Sequence, residues 1–311
     1  MKDVKDSYQD LIDRCAGLPP LRTAVVHPVQ ASVFEAVSDA AAQGLIQPVL
    51  IGPAARIRAA LSEAGHDPAA FEVVDTEHSH AAAETAARMA GAGGVGAIMK
   101  GSLHSDELLD AVIDRAAGLR TERRISHAFL MLTDSYPKPF IITDAAVNIA
   151  PDLLTKADIL QNAVNLWRVI WGPEKARVAI LAAVETVNPK MQATLDAAAL
   201  CKMADRGQIT DAVLDGPLAY DNAISLQAAR EKGIDSPVAG QADILLVPEI
   251  EAGNMVAKQL IFMGGADAAG IVLGARVPVI LTSRADSVRA RLLSCALAVL
   301  LDDGRKRGML K

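Results

Sequence analysis

Short apolar runs alternate with longer stretches of helical spacing along most of this chain. Residues 22–27, 48–52, 71–75 and 97–99 are short, rich in Val, Ile and Ala, and bounded by Gly, Pro or polar residues, so they read as buried strands. Between them, 32–44, 53–64 and 79–90 carry apolar residues at helical spacing. A helix over 8–15 precedes the first strand and is stopped by Gly17 and Pro19-Pro20. Asp106 and Glu107 open another helix through Val112 and Ile113. Strands follow at 125–131 and 140–144, then a long helix at 153–170. The alternation restarts with strand 178–181, helix 190–206, a strand from Ala212 that reaches Asp221, helix 225–232, strand 243–248 and helix 252–263. It closes on strands 270–274 and 277–281 and a helix from Val288 through Leu300.

Strand–helix alternation at about 25–30 residues per unit predicts βαβ units in parallel sheets with right-handed crossovers. The expected fold class is α/β, with two doubly wound domains. Pro137-Lys138-Pro139 marks a boundary, and the last strand and helix return to the first domain. The expected division is 1–138 plus 275–311 for the first domain and 139–274 for the second, inserted in the first.

The 311 residues are 51% hydrophobic and 22% charged, which describes a soluble globular protein with ample core material. Aromatic residues make up only 3%, against any base-stacking platform, and the net charge of −6 gives no basic field for nucleic acid. An anionic ligand must therefore meet local Arg and Lys clusters. Cys15, Cys201 and Cys295 are far apart, without metal-like spacing, and an odd number cannot all pair within one chain. A reducing compartment follows, and the charged N-terminus lacks a signal-peptide core, so a cytoplasmic location is expected. No apolar run reaches membrane-spanning length. His78 and His80 sit in a polar, acidic stretch that reads as a solvated loop, and no metal site is expected.

The densest candidate chemistry lies at 277–287, where an apolar strand turns within one residue into Thr282-Ser283-Arg284-Ala285-Asp286-Ser287 and then a helix. Ligands of parallel sheets bind beyond the strands' carboxyl ends, and a helix N-terminus favours an anion. Arg284 adds a planar fork suited to phosphate oxygens. A Ser N-cap and a solvated Arg remain the plain alternative. Gly91 to Gly96 fits G-x-G-x-x-G, but it follows a helix and precedes a strand, so it reads as a helix stop and connector. Lys100-Gly101-Ser102 at the end of the next strand makes a second anion-capable corner. Arg120, Arg123 and Arg124 lead into Ser126-His127, and Asp144 and Asp215 lie at or near strand ends.

Taken together, the motifs form a set. They are Lys100-Gly101-Ser102, Arg124-Ile125-Ser126-His127-Ala128-Phe129, Thr143-Asp144-Ala145-Ala146-Val147-Asn148, Glu185-Thr186-Val187-Asn188-Pro189-Lys190-Met191, Asp215-Gly216-Pro217 through Asp221-Asn222-Ala223, Ala242-Asp243-Ile244-Leu245, Pro248-Glu249 through Asn254 and Thr282-Ser283-Arg284. In number and order they resemble the phosphate acetyltransferase/phosphate butyryltransferase family over nearly the whole chain. The resemblance implies an active-site cleft between two domains and reversible transfer of a short acyl group between coenzyme A and phosphate. It implies coenzyme A as substrate, no bound cofactor or metal, and a dimer or larger homo-oligomer. Ser283 and Arg284 match the family's catalytic pair, and Ser126 matches a serine that meets the phosphoryl group. Lys100, Gly101 and Ser102 match a loop facing the same cleft. Arg124, His127, Asn148, Asp215 and Asp221 fall within the matching motifs and are carried over as substrate-binding candidates. Family acetyltransferases place an aspartate several residues after the Ser-Arg pair. Here the only carboxylate between Ser283 and Leu300 is Asp286, the candidate base.

The expected chemistry is direct attack of the coenzyme A thiolate on the acyl phosphate, without an acyl-enzyme. An acyl carrier at Ser283 or Cys201 is the alternative within this class. Two readings from other classes stand beside it. A metal-dependent NAD(P) hydroxyacid dehydrogenase of similar architecture would gather Asp144, Asp215, Asp221 and Asp243 on a divalent cation. A non-catalytic coenzyme A or acyl-phosphate sensor would fit the displaced aspartate.

Overall fold

The protein's structure, a computed structural model, describes residues 4–282 and 286–310. The chain opens with helix α1 (Val4–Asp13), then β1 (Leu21–Val26), α2 (Ala31–Ala42), β2 (Ile46–Gly52), α3 (Ala54–Glu63), β3 (Glu72–Asp75), α4 (Ser79–Gly91), β4 (Ala97–Lys100) and α5 (Ser105–Ile113). It continues through β5 (Ser126–Leu132), β6 (Phe140–Thr143), α6 (Leu153–Trp171), β7 (Ala176–Leu181), α7 (Gln192–Asp205) and β8 (Ala212–Leu218). Two short helices, α8 (Tyr220–Ile224) and α9 (Leu226–Glu231), precede β9 (Ile244–Leu246), α10 (Ile250–Phe262), β10 (Asp267–Leu273), β11 (Val279–Ile280) and α11 (Val288–Lys306). Among the described residues no helix is long and apolar enough to cross a membrane.

Two compact units result. One comprises residues 10–123 and 269–308; the other comprises 124–268 with the described ends of the chain. The division thus falls after Arg123 and after Ala268 rather than at 138/139 and 274/275. The reason is β5, which pairs with β6 from Ala128↔Thr143 to Met131↔Phe140 and so ties 126–132 to the strand beyond the prolines.

In the unit built on 10–123, the strands lie in the order β3-β2-β1-β4-β11-β10. β1 runs parallel to β2 and β4, β2 to β3, and β4 to β11. Ala24, Val25, Val26, Leu50, Ile51 and Ile98 are fully buried, as befits a parallel sheet covered on both faces. Helix α11 belongs to this unit: the Cys15 thiol contacts the Ala296 carbonyl, and Gly270 N–H donates to Ser294 Oγ at 3.0 Å. The glycines at 91–94 stop α4 as expected, with Gly93 left-handed (φ +77°) and Gly94 N–H donating to Met89 O at 2.8 Å.

The other unit orders its strands β5-β6-β9-β7-β8, with β9 running parallel to both β6 and β7, and β7 parallel to β8. Its core gathers Met131, Phe140, Ile142, Leu181, Leu218 and Leu245. Tyr136 closes one side of that core, its hydroxyl donating to the Ala242 carbonyl at 2.8 Å.

Two expectations are corrected here. The sheets are not wholly parallel: β5–β6 and β10–β11 are antiparallel. Neither connection carries a helix, and a parallel pair needs a crossover of about a dozen residues or more. The strand expected to reach Asp221 stops at Leu218, and Tyr220–Ile224 is helical.

Candidate active site

The winding of the first-described unit changes sense between β1 and β4. The chain steps from β1 through β2 to β3 on one side, then returns to place β4 on the other side of β1. Such a switch opens a crevice at the strands' carboxyl ends. His27 follows β1 there, and Gly101-Ser102 follows β4. Gly101 N–H donates to Val26 O and Ser102 N–H to His27 O, both at 3.0 Å. A Cβ built on Gly101 would stand 2.3 Å from Val26 O, so only glycine permits this approach. His27 holds a left-handed backbone (φ +54°). Its Nδ1 and the Ser102 Oγ are buried without hydrogen-bond partners. Burial lowers the His27 pKa, and the nearby Arg56 lowers it further.

Lys100, largely buried, lines a pocket of about 360 Å³ of empty volume, open to solvent, at this edge. Among the described residues the other polar contributors are Gln30 and Ser32 from the start of α2, Thr282 after β11, and Arg291 from α11. Helix α2 begins without a capping side chain: Gln30 is extended and makes no cap bond, and no acid sits in the first turn. Arg291 Nη1 donates to Ser32 O at 2.9 Å, tying α11 to α2. Arg291 was not singled out from the sequence. Its signal is a base one turn into α11, where the helix dipole disfavours positive charge.

Ser283 and Arg284 lie outside the described residues. Asp286 is half-buried and directly precedes Ser287, which caps α11 by accepting from Ala290 N–H at 3.1 Å. The capping role is thus filled by Ser287, not Asp286.

The unit built on 124–268 gathers a second group where β5 begins and β6 ends. Asp144 Oδ1 accepts from the N–H groups of Ala146 and Val147 at 3.0 Å each. Its Oδ2 accepts from Asn148 N–H at 3.2 Å and Asn148 Nδ2 at 2.6 Å. Asn148 Nδ2 also reaches Ile125 O, and Thr143 Oγ1 donates to His127 O. Ser126 is fully buried and accepts from Asn162 Nδ2 at 3.0 Å. His127 is buried, its ring edge-on to Phe129 at 4.3 Å, and its Nδ1 lacks a partner. Burial pulls its pKa down to about 4, against the opposing charge of Asp144. Arg124 takes part through its backbone, donating to Asp158 and accepting from Asn162, while its side chain is exposed. Asn162 was not singled out either; a polar Gln161-Asn162 pair inside an apolar helical stretch is the signal that marks it.

Asp215 and Asp221 do not join this group through any bond between side chains. Asp215 lies within β8 and not at its end, at a bulge where Ala179↔Asp215 gives way to Leu181↔Leu218. Asp221 is exposed in α8 and faces Lys232 at 3.4 Å, as does Glu185 at 3.6 Å. Asp243 pairs with Lys138 and accepts from Arg177 N–H at 2.7 Å. With Asp215 Oδ1 accepting from Gly216 N–H at 2.9 Å, the four aspartates of the dehydrogenase reading are each committed to separate partners. Cys201 sits within α7, its thiol pushed up to about 12 by burial, which disfavours an acyl carrier there. His78 caps α4 through Nδ1, and His80 pairs with Glu107 at 2.8 Å.

The family profile "Phosphate acetyl/butaryl transferase" matches residues 81–299. A phosphate acetyltransferase of Rickettsia prowazekii is 55% identical over 95% of this chain and 87% of its own length. A phosphate butyryltransferase of Clostridium acetobutylicum is 39% identical over 95% of this chain and 98% of its own. A branched-chain phosphotransacylase structure from Enterococcus faecalis superposes with a TM-score of 0.79 at 28% identity, over 91% of this chain and 99% of that one. A 4-hydroxythreonine-4-phosphate dehydrogenase of Klebsiella pneumoniae shares the fold alone, with a TM-score of 0.54 at 15% identity, covering 92% of this chain and 99% of that one. The match across most of the chain, together with these identities, decides the matter: the chain belongs to the phosphate acetyl/butyryl transferase family of acyltransferase enzymes.

Proposed function

We propose that this enzyme transfers an acetyl group reversibly between coenzyme A and phosphate. The observation that carries the reading is identity. Four relatives named phosphate acetyltransferase are 55–57% identical over 94–95% of this chain, and another is 39% identical over 86%; those named phosphate butyryltransferase, one of them as probable, are 37–41% identical. One methylene separates neighbouring acyl groups by only about 1–3 kcal/mol, so propionyl and butyryl are expected as slower substrates. The enzyme acts in the cytoplasm as a homo-oligomer, with coenzyme A as substrate and no resident cofactor or metal. Three free, partly or fully buried thiols support the reducing compartment.

In the direction of acetyl-CoA formation, Asp286 takes the thiol proton, and the thiolate attacks the carbonyl carbon of acetyl phosphate. The new C–S bond forms as the C–O bond to phosphate breaks. Ser283 stabilises the carbonyl oxygen as it gains charge, an effect worth roughly 3–4 kcal/mol per donor in other enzymes. Arg284 and Lys100 hold the departing phosphate; Ser126, the other candidate for that role, is buried and bonded to Asn162 and orders the start of β5. Gly101 and Ser102 support Lys100 through their bonds to β1, and the Asp144–Asn148 loop orders the segment around Ser126 and His127. Arg124, Asp215 and Asp221 belong to the substrate-binding surfaces.

The test is thioester formation from coenzyme A and acetyl, propionyl or butyryl phosphate. Acetyl phosphate should turn over fastest. Binding of coenzyme A without thioester formation would favour a sensor, and reduction of NAD(P) by a hydroxyacid would favour the dehydrogenase.

A further inference from the structure

We infer that the outer face of α10 is a contact between two copies of this chain, related by a two-fold axis close to Met255. The inference rests on the homo-oligomer proposed above for the kind of partner and on α10 for the surface; acyl transfer has no part in it. Glu251, Met255, Lys258 and Phe262 follow one another at helical spacing, so they form a single line along α10. All four are exposed, while Gly253 and Ala257 on the opposite side of the helix are buried. Met255 is 65% exposed, Phe262 64% and the neighbouring Met263 79%. Ile149 is 74% exposed and lies against the first turn of α10, its carbonyl accepting from Ile250 N–H at 3.1 Å.

Apolar side chains scattered singly over a surface are ordinary, but large ones set in a row along one helix mark a contact surface. The order of chemistry along the row points to the partner. From the start of α10 it runs apolar, acid, apolar, base, apolar: Ile149, Glu251, Met255, Lys258, then Phe262 with Met263. A two-fold axis near Met255 lays a second row against the first in reverse. Met255 then meets its own copy, and Glu251 of each copy meets Lys258 of the other. Phe262 and Met263 of each copy reach the start of the other α10, where Ile149 lies. A surface that matches itself on reversal is what an isologous dimer requires. The Lys258 ammonium lies 6.0 Å from the Phe262 ring centroid, so the base is already held over the apolar row, within reach of a facing carboxylate. Methionine and phenylalanine are enriched at interface centres, and the flexible thioether of Met255 adapts to its own copy. A lipid surface fits less well, because it would desolvate the Glu251 carboxylate without offering a base to face it.

The experiment is sedimentation velocity of the full chain over a range of concentrations, with thermal unfolding followed in parallel. Met255→Glu sets two carboxylates face to face at the axis and should raise the dimer Kd at least about 30-fold, the loss of a central contact. Glu251→Lys and Lys258→Glu each oppose like charges twice and should raise it about 5–30-fold. The double swap should bring it back to within about threefold of wild type, a rescue that misfolding would not give. Met255→Cys should be captured as a covalent dimer by a short bis-maleimide, above the level given by the wild-type thiols. If the wild type self-associates and none of these changes weakens it, the face of α10 is overturned and the homo-oligomer stands. If the wild type is a monomer at every concentration, both fall. A monomer that binds phosphatidylcholine vesicles through Met255 and Phe262 would give the row to a lipid surface instead. Thioester formation, assayed on the same samples, tests the proposed reaction separately.

Discussion

The backbone N–H of Gly101 donates to Val26 O at 3.0 Å, and a side chain at Gly101 would lie 2.3 Å from that same oxygen. The contact joins the ends of β1 and β4 at the point where the sheet changes its winding, and it sets where Lys100 stands.

Gly101→Ala should therefore cost about 1–3 kcal/mol, the usual range for overpacking a tight contact. Turnover should fall by more than the lost stability explains, because β4 must shift to relieve the clash and Lys100 shifts with it. Urea unfolding and kinetics on the folded fraction separate the two effects. Normal turnover in a destabilised variant would detach Lys100 from the chemistry.

Asp286 and Ser287 are adjacent yet should behave differently. If Asp286 deprotonates the thiol, Asp286→Asn should lose rate by ~10²–10⁴ with its substrate affinities kept. The deficit should shrink as pH approaches the free thiol pKa of about 8.5, where thiolate forms unaided. Ser287→Ala removes the α11 cap and should cost about 1 kcal/mol of stability without moving the pH–rate profile. An Asp286→Asn enzyme with normal turnover at neutral pH would pass the role of base to another carboxylate.

His127 is neutral in the fold, with its pKa pulled from 6.5 down to about 4. Between those values the unfolded chain binds a proton that the native state refuses, so stability is full above pH 6.5 and declines as pH falls toward 4. The decline attributable to this group is on the order of 3 kcal/mol. His127→Gln should flatten that part of the stability–pH curve, measurable by urea unfolding at pH 7 and 4.5. An unchanged curve would mean that the buried ring is not a source of acid lability.

Lys156 and Asp196 form a buried ion pair at 2.6 Å between α6 and α7, with Gln192 also donating to Asp196. Removing one partner leaves an uncompensated buried charge, so Asp196→Ala should cost about 3–5 kcal/mol. The double change Lys156→Met with Asp196→Leu should cost much less. Equal losses in the single and double variants would show that the charges are not coupled.

The alternation of short apolar runs with helical periods determined the α/β architecture and nearly every element by itself, because side chains on a covered parallel sheet and on an amphipathic helix obey different periods. It also marked Lys100-Gly101-Ser102 as an anion-capable corner and ruled out a dinucleotide loop at 91–96. Strand direction was only partly legible: the helix-free connections before β6 and β11 already forbid parallel pairing, although the alternation around them suggests it. The partners of a strand's end were not legible at all. Only the folded chain brings Arg291 beside Ser32 and Asn162 beside Ser126, because each contact joins elements far apart in sequence; the four donors on Asp144 come from the next four residues and follow from the turn itself. Asp215 and Asp221 look alike as acids of one motif, yet the β8 bulge and the turn into α8 give them different surroundings. Local periodicity records which face of an element is buried; which side chains meet beyond its end depends on winding order and loop geometry, and these are properties of the whole fold.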